Sequence, residues 1–363
     1  MQRNKSLDSL KFLFSIAIVY YHILHSNMER VIGTTGAYQT LSEACGSGHL
    51  IVECFLIIAG FFLYSTYRKG ISNIPDFAVS RLVRLWPAFI FQIAIILILS
   101  GYKFEALILD VCLLRCTGIS LAHQGICWYI PPFFWCSVFL FSILQILRKE
   151  SALLLIAVLT YLAYCVNLNS TNGDLGRHVV FSWCSLGVLR VLGGLGAGLL
   201  IAAGIEYFQG SDKPEKVSRT RYIWYSIAEL VCIALLTCQF LVYRIFTNAA
   251  TTVVIFSYLL IIIVKGGGVV SKLLGRDSIA GMGKYCYCIY VMQQAAFVIM
   301  RKTTWKWNKE LWMNLPVLSI IVTTIFSIAL GVFAYHLVER PCSNWYKRRK
   351  TAKSNESKSE HAH

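Results

Sequence analysis

Long apolar runs separated by short polar stretches dominate the chain, recurring near 10–26, 47–66, 85–101, 128–147, 152–167, 179–205, 223–243, 249–264, 278–300 and 315–338. A hydrocarbon core about 30 Å thick takes roughly 20 apolar residues of helix. In lipid the backbone must satisfy its own hydrogen bonds, which helices do within one segment. The pattern therefore predicts an all-α, polytopic membrane bundle of about ten transmembrane helices. The stretch 105–122 (EALILDVCLLRCTGISLA) is also apolar, but Asp110 and Arg115 interrupt it, and it reads as an eleventh span or a re-entrant segment.

Charge arbitrates, because cytoplasmic loops near span ends are enriched in Lys and Arg. With ten spans, and 102–126 kept on the outer side, the basic 206–222 loop, the 265–276 segment and the tail from Arg340 to Lys358 all fall inside. An eleventh span would turn all three outward. Ten spans with both termini cytoplasmic is the better account, in an integral cytoplasmic (plasma) membrane protein. It divides the chain into a membrane domain over 1–345 and a basic, solvated, disordered tail over 346–363. Arg3 and Lys5 precede an apolar run as in a secretory signal, but no small-residue cleavage site follows, so the first run reads as a retained helix.

Composition narrows the class. Hydrophobic residues make up 56% of the chain and charged residues 14%, against about 25% charge in soluble proteins. The mean hydropathy is +0.60. The net charge of +16 follows the topology rather than a nucleic-acid partner. The 13 cysteines lie mostly inside apolar runs, where a thiol acts as a small hydrophobe. No cysteine pair stands at zinc spacing from a histidine, and no metal is expected. The run VLGGLGAGLLIAAG (191–204) is rich in small residues, as close helix packing in membranes requires.

Ionisable groups inside the hydrocarbon point to chemistry, since they are costly and face a cavity or a partner. In the first helix Asp8 and Lys11 share a face, and His22 lies three turns beyond Lys11, roughly 16 Å along the axis. One stripe thus carries a cation near the cytosol and an imidazole in the outer half. His22 alone reads equally as a histidine bonded to a neighbouring helix. Glu53, at similar depth in the second run, is placed to orient that imidazole, or is bonded to another helix. Arg81 and Arg84 lie one turn apart beside Trp86-Pro87. They read as positive-inside charge at lipid phosphate, or as a fork for the phosphates of a soluble ligand.

Together these residues resemble the acyltransferase 3 family of integral membrane acyltransferases, which O-acylate sugars and other cell-surface glycans. The first helix is similar to the family's LDxLR…H pattern, with Lys11 where the family usually has Arg and His22 fourteen residues after Asp8. Val52-Glu53-Cys54-Phe55 and Ala59-Gly60-Phe61 resemble its V-D/E-x-F-F…S-G-F run. Arg81-Leu82-Val83-Arg84 matches RxxR, and Cys127-Trp128-Tyr129-Ile130 matches the W-Y/F-L segment. Cys286-Tyr287-Cys288-Ile289-Tyr290 resembles SYSIYL, with Gln293 where a His is common. Leu337-Val338-Glu339-Arg340-Pro341 resembles the closing hydrophobic-E-x-P.

The resemblance implies acyl transfer from acetyl-CoA, or a related acyl-CoA, to a hydroxyl of a saccharide or glycolipid acceptor on the outer side. His22 would be the general base, Glu53 its orienting group, and Lys11, Arg81 and Arg84 the ligands of the donor phosphates. Exopolysaccharide, O-antigen, peptidoglycan or a lipid-linked sugar would each fit as acceptor; the outer aromatic cluster at Trp305 and Trp307 reads first as interfacial anchoring, with stacking on a sugar as the alternative. The competing class is a transporter or flippase of a lipid-linked glycan, which commonly carries inverted repeats and broken midplane helices; neither stands out in the sequence.

Overall fold

The computed structural model describes residues 4–25, 42–43, 45–70, 73–101, 103–119, 125–177, 180–181, 184–209, 218–241, 246–303, 306 and 315–360. The described residues form a helical bundle. Its helices are α1 (Lys5–His25), α2 (Ile51–Arg68), α3 (Ile74–Ser100), α4 (Phe104–Val111), α5 (Ile130–Ile146), α6 (Lys149–Ser170), α7 (Leu186–Gln209), α8 (Arg219–Leu241) and α9 (Ala250–Val264). After them come α10 (Val269–Leu274), α11 (Asp277–Ala280), α12 (Cys286–Lys302), α13 (Pro316–Ala334) and α14 (Arg340–Glu360). A single hairpin pairs β1 (Val180–Phe181) with β2 (Cys184–Ser185), antiparallel.

A helix occupies each of the ten apolar runs, and seven of the described helices are long and apolar enough to cross a membrane. Ile130–Ile146 and Ala250–Val264 are apolar but shorter. The described cysteines are free, and most are buried in the core as small apolar groups. Trp305 and Trp307 lie outside the described residues.

Three local features depart from or refine the sequence reading. Within 105–119, the described part of the 105–122 stretch, the helix is α4, eight residues long, which at 1.5 Å per residue covers about 12 Å. It stops because Arg115 folds back to within 2.6 Å of Asp110, the two carrying opposite charges out of water together. Leu113 and Cys116 take left-handed backbone conformations in that turn. The indoles of Trp86 and Trp135 then donate to the carbonyls of Val111 and Leu113, tying the turn to α3 and α5.

Secondly, Arg81 and Arg84 belong to the same 27-residue helix as the following span, which runs on through Pro87. Its start is fixed by Asn73, whose side chain accepts from Asp76 N at 2.9 Å. Thirdly, the tail expected to be disordered continues from the last span as helix to Glu360. Lysine and arginine are good helix formers, and Lys350 reaches Asp76 of α3 at 3.1 Å.

The tightest contact in the bundle joins α2 to α7. A methyl group on Gly198 would fall on the carbonyl of Ile57, one on Gly60 on the carbonyl of Leu195, and one on Gly194 within 2.7 Å of Glu53 Oε1. The glycine run thus lets two helices meet backbone to backbone. It also brings the α2 carboxylate Glu53 against Arg190 in the first turns of α7.

Candidate functional site

A cavity of about 560 Å³ opens among α1, α2, α3, α5 and α12. One end carries Lys11, Lys69, Arg81 and Arg84, with Asp8 beside them. Lys11 is held 2.7 Å from Asp8, the neighbour expected from their spacing on α1. Among the described residues no carboxylate pairs with Arg81 or Arg84, and the Arg81 guanidinium lies over the Phe77 ring, 4.9 Å from its centroid. Two unpaired guanidiniums one turn apart on a cavity wall form a ready anion site. Phe55, Phe62 and Phe133 make the middle of the cavity apolar, and Tyr129 and Tyr290 line it further in.

The two tyrosine rings meet edge to face, 4.8 Å between centroids. Tyr290 is pinned by its hydroxyl, which donates to the Ile126 carbonyl at 2.9 Å, while Tyr287 one turn away donates to the Leu85 carbonyl at 2.6 Å. The Cys286–Tyr290 stretch therefore holds α3 and the start of α5 around the cavity. Behind it, the Cys288 thiol donates to Glu339 Oε2 at 2.9 Å. Glu339 closes a π-helical turn, Tyr335–Glu339, of the kind often found at functional positions.

His22 sits one aromatic ring beyond the cavity. Its ring centroid lies 6.2 Å from that of Tyr290 and 5.3 Å from that of Tyr21. The side chain is 6% exposed, and it faces α12 rather than the outside of the bundle. Nδ1 lies 3.1 Å from Gln293 Oε1. On its far side are His25, stacked on Tyr21 at 4.4 Å, and His49, bonded to Asp174 at 3.1 Å. Arg177 completes this outer group, its guanidinium 5.8 Å from the Trp128 ring, and burial pulls it below its usual pKa.

Glu53, expected beside His22, is bonded to other helices. Among the described residues no hydrogen bond joins the two. Tyr164 donates to Glu53 Oε1 at 2.5 Å and Arg190 Nε donates to Oε2 at 3.0 Å, so both carboxylate oxygens are taken. The remaining Arg190 nitrogens donate to the carbonyls of Leu175 and His49. A buried carboxylate takes the cation in reach, and the glycine contact between α2 and α7 supplies Arg190. The sequence signal was present, since Arg190 is itself an ionisable residue in an apolar run.

Of the five residues expected from sequence, Lys11, Arg81 and Arg84 come together on one cavity, and His22 lies beyond it, next to Tyr290. Lys69, Tyr129 and Tyr290 join them on the cavity without having been assigned a role, and Gln293 stands against His22. Among the described residues no group of three or more His, Cys, Asp or Glu side chains is placed to hold a metal ion.

No curated protein and no solved structure is measurably similar to the chain. A family model described as an acyltransferase domain does match it, over residues 4–336 and hence almost the whole bundle, so the chain belongs to the acyltransferase 3 family.

Proposed function

We propose that this protein is a membrane O-acyltransferase that moves an acetyl or similar acyl group from acyl-CoA on the cytoplasmic side to a hydroxyl of a cell-surface or lipid-linked saccharide. The protein crosses the cytoplasmic membrane ten times, with both termini inside. Lys11, Arg81 and Arg84, with Lys69, take the phosphates of the donor, and the pantetheine arm lies along the aromatic cavity.

His22 is the general base. Its Nε2 takes the proton of the acceptor hydroxyl as the oxygen attacks the thioester carbonyl. The carbon–sulfur bond breaks, and the imidazolium returns the proton to the leaving thiolate. The products are the sugar ester and free CoA, with no net change in the enzyme. A base so positioned contributes typically about 10²–10⁴-fold.

The observation that carries this reading is the alignment of one cavity with two chemistries. Guanidiniums that no described carboxylate pairs with stand at one end, and a buried imidazole stands one ring beyond the other. The decisive experiment compares the acetyl content of surface glycans, by mass spectrometry, in cells making the native protein or His22→Ala at equal membrane abundance. Acetylation vanishes with His22→Ala; undiminished acetylation would remove the histidine from the mechanism.

A further inference from the structure

We infer that Gln293 is the positioning residue of the base: it holds the His22 imidazole and selects its tautomer, a role that rests on His22 acting as proposed above. Gln293 is wholly buried on α12, opposite His22 of α1. With its Oε1 3.1 Å from Nδ1, the imidazole donates its Nδ1 hydrogen to the amide oxygen. The lone pair then lies on Nε2, the nitrogen that must accept a proton. The opposite tautomer would present an N–H to the acceptor hydroxyl and could not act as base.

Packing does not explain a glutamine at this position. Its amide nitrogen has no hydrogen-bond partner among the described residues. A buried donor left without a partner is destabilising, and a leucine would fill the space without that penalty. The neighbouring Gln294 does have a structural task, its Oε1 accepting from Ile126 N at 3.2 Å. What Gln293 supplies is one acceptor oxygen, aimed at one imidazole nitrogen.

Its neutrality matters as well. Among the described residues, the titratable and charged groups around the ring are Tyr21 and His25 on α1, then His49, Arg177 and Tyr290. None is a carboxylate, and Asp174 is bonded to His49 instead. An anion in place of Gln293 would favour the imidazolium, which cannot accept a proton. An amide orients the ring and leaves it neutral.

The test measures transfer of radiolabelled acetyl from acetyl-CoA to endogenous acceptor in inside-out membrane vesicles, over a range of pH. Gln293→Leu lowers kcat about 10²-fold while the apparent KM for acetyl-CoA stays within twofold. Gln293→Glu restores an acceptor for Nδ1–H and recovers part of the rate, with the acid limb of its profile moved up by about one pH unit or more. A Gln293→Leu enzyme within threefold of native, or an unmoved profile in Gln293→Glu, overturns the assignment. Should Gln293→Leu fail to accumulate, the Gln293→Glu profile decides alone. His22→Ala is run alongside. If it is inactive while Gln293→Leu is normal, only the positioning role falls; if it is active, the base itself falls and this role with it.

Discussion

Arg190 and Glu53, 137 residues apart in sequence, form an ion pair with Nε 3.0 Å from Oε2, and both side chains are essentially shielded from solvent. Removing one partner of such a pair strands the other charge in a medium that cannot solvate it, at about 3–5 kcal/mol. Arg190→Met and Glu53→Leu are therefore expected to lower the thermal midpoint of the detergent-solubilised protein sharply. The Arg190→Met/Glu53→Gln double variant, which leaves no net buried charge, recovers part of the loss. Fluorescence-detected size exclusion after heating measures this. A double variant no better than the worse single one would mean that the pair does not act as a unit.

A second expectation concerns the α2–α7 contact. Gly198→Ala places a methyl group on the Ile57 carbonyl and within 2.8 Å of Phe61 N. Backbone cannot yield as a side-chain tip can, and overpacking of this kind costs about 1–3 kcal/mol. Gly204, six residues further along α7, meets nothing within 4 Å. Alanine there is neutral or stabilises by up to about 1 kcal/mol, because it restricts the unfolded chain. The thermal midpoint of Gly198→Ala should fall while that of Gly204→Ala holds or rises. Equal shifts would show that helix propensity, and not contact, governs the run.

The sequence made some of this arrangement legible, and the reason is depth. His22, Lys11 and the Arg81/Arg84 pair were readable because helical spacing fixes face and height within one element. The partner of Glu53 was not readable, since height in the membrane does not say which helix lies alongside. That depended on Gly60, Gly194 and Gly198 meeting across α2 and α7, and small residues announce close packing without naming the partner. Gln293 was legible only as the residue standing where the resembling family commonly has a His, and its hydrogen bond to His22 exists only once α1 and α12 are packed. In the tail, helix runs to Glu360 where a coil was expected. Its polarity argued for solvation, which an exposed helix satisfies as well as a coil does.

The donor end makes a prediction that separates binding from chemistry. If the donor's phosphates bind as proposed, Arg81→Ala and Arg84→Ala each remove one charge-assisted contact, about 1.5–3 kcal/mol. That corresponds to roughly a tenfold or greater rise in the apparent KM for acetyl-CoA. The contact is made equally in the ground and transition states, so kcat should hold within about twofold. Initial rates at limiting and saturating acetyl-CoA in inside-out vesicles distinguish the two. Unchanged rates at limiting donor would take both arginines out of the donor site.

Tyr290 supplies the last expectation, because it is the ring that stands between the cavity and His22. Its edge-to-face contact with Tyr129 and its hydrogen bond to the Ile126 carbonyl hold it as a partition. Excluding water from a thioester until the acceptor is seated prevents wasteful hydrolysis. Tyr290→Ala opens the partition, and water reaches both the carbonyl and the base. The ratio of CoA thiol released to acetyl incorporated into acceptor, near one for the native enzyme, should rise several-fold. Tyr290→Phe keeps the ring and loses only the hydrogen bond, so its ratio should stay close to native. A thiol assay and a radiolabel count on the same vesicles give both numbers. If Tyr290→Ala slows release and incorporation equally, the ring positions substrate and does not exclude water.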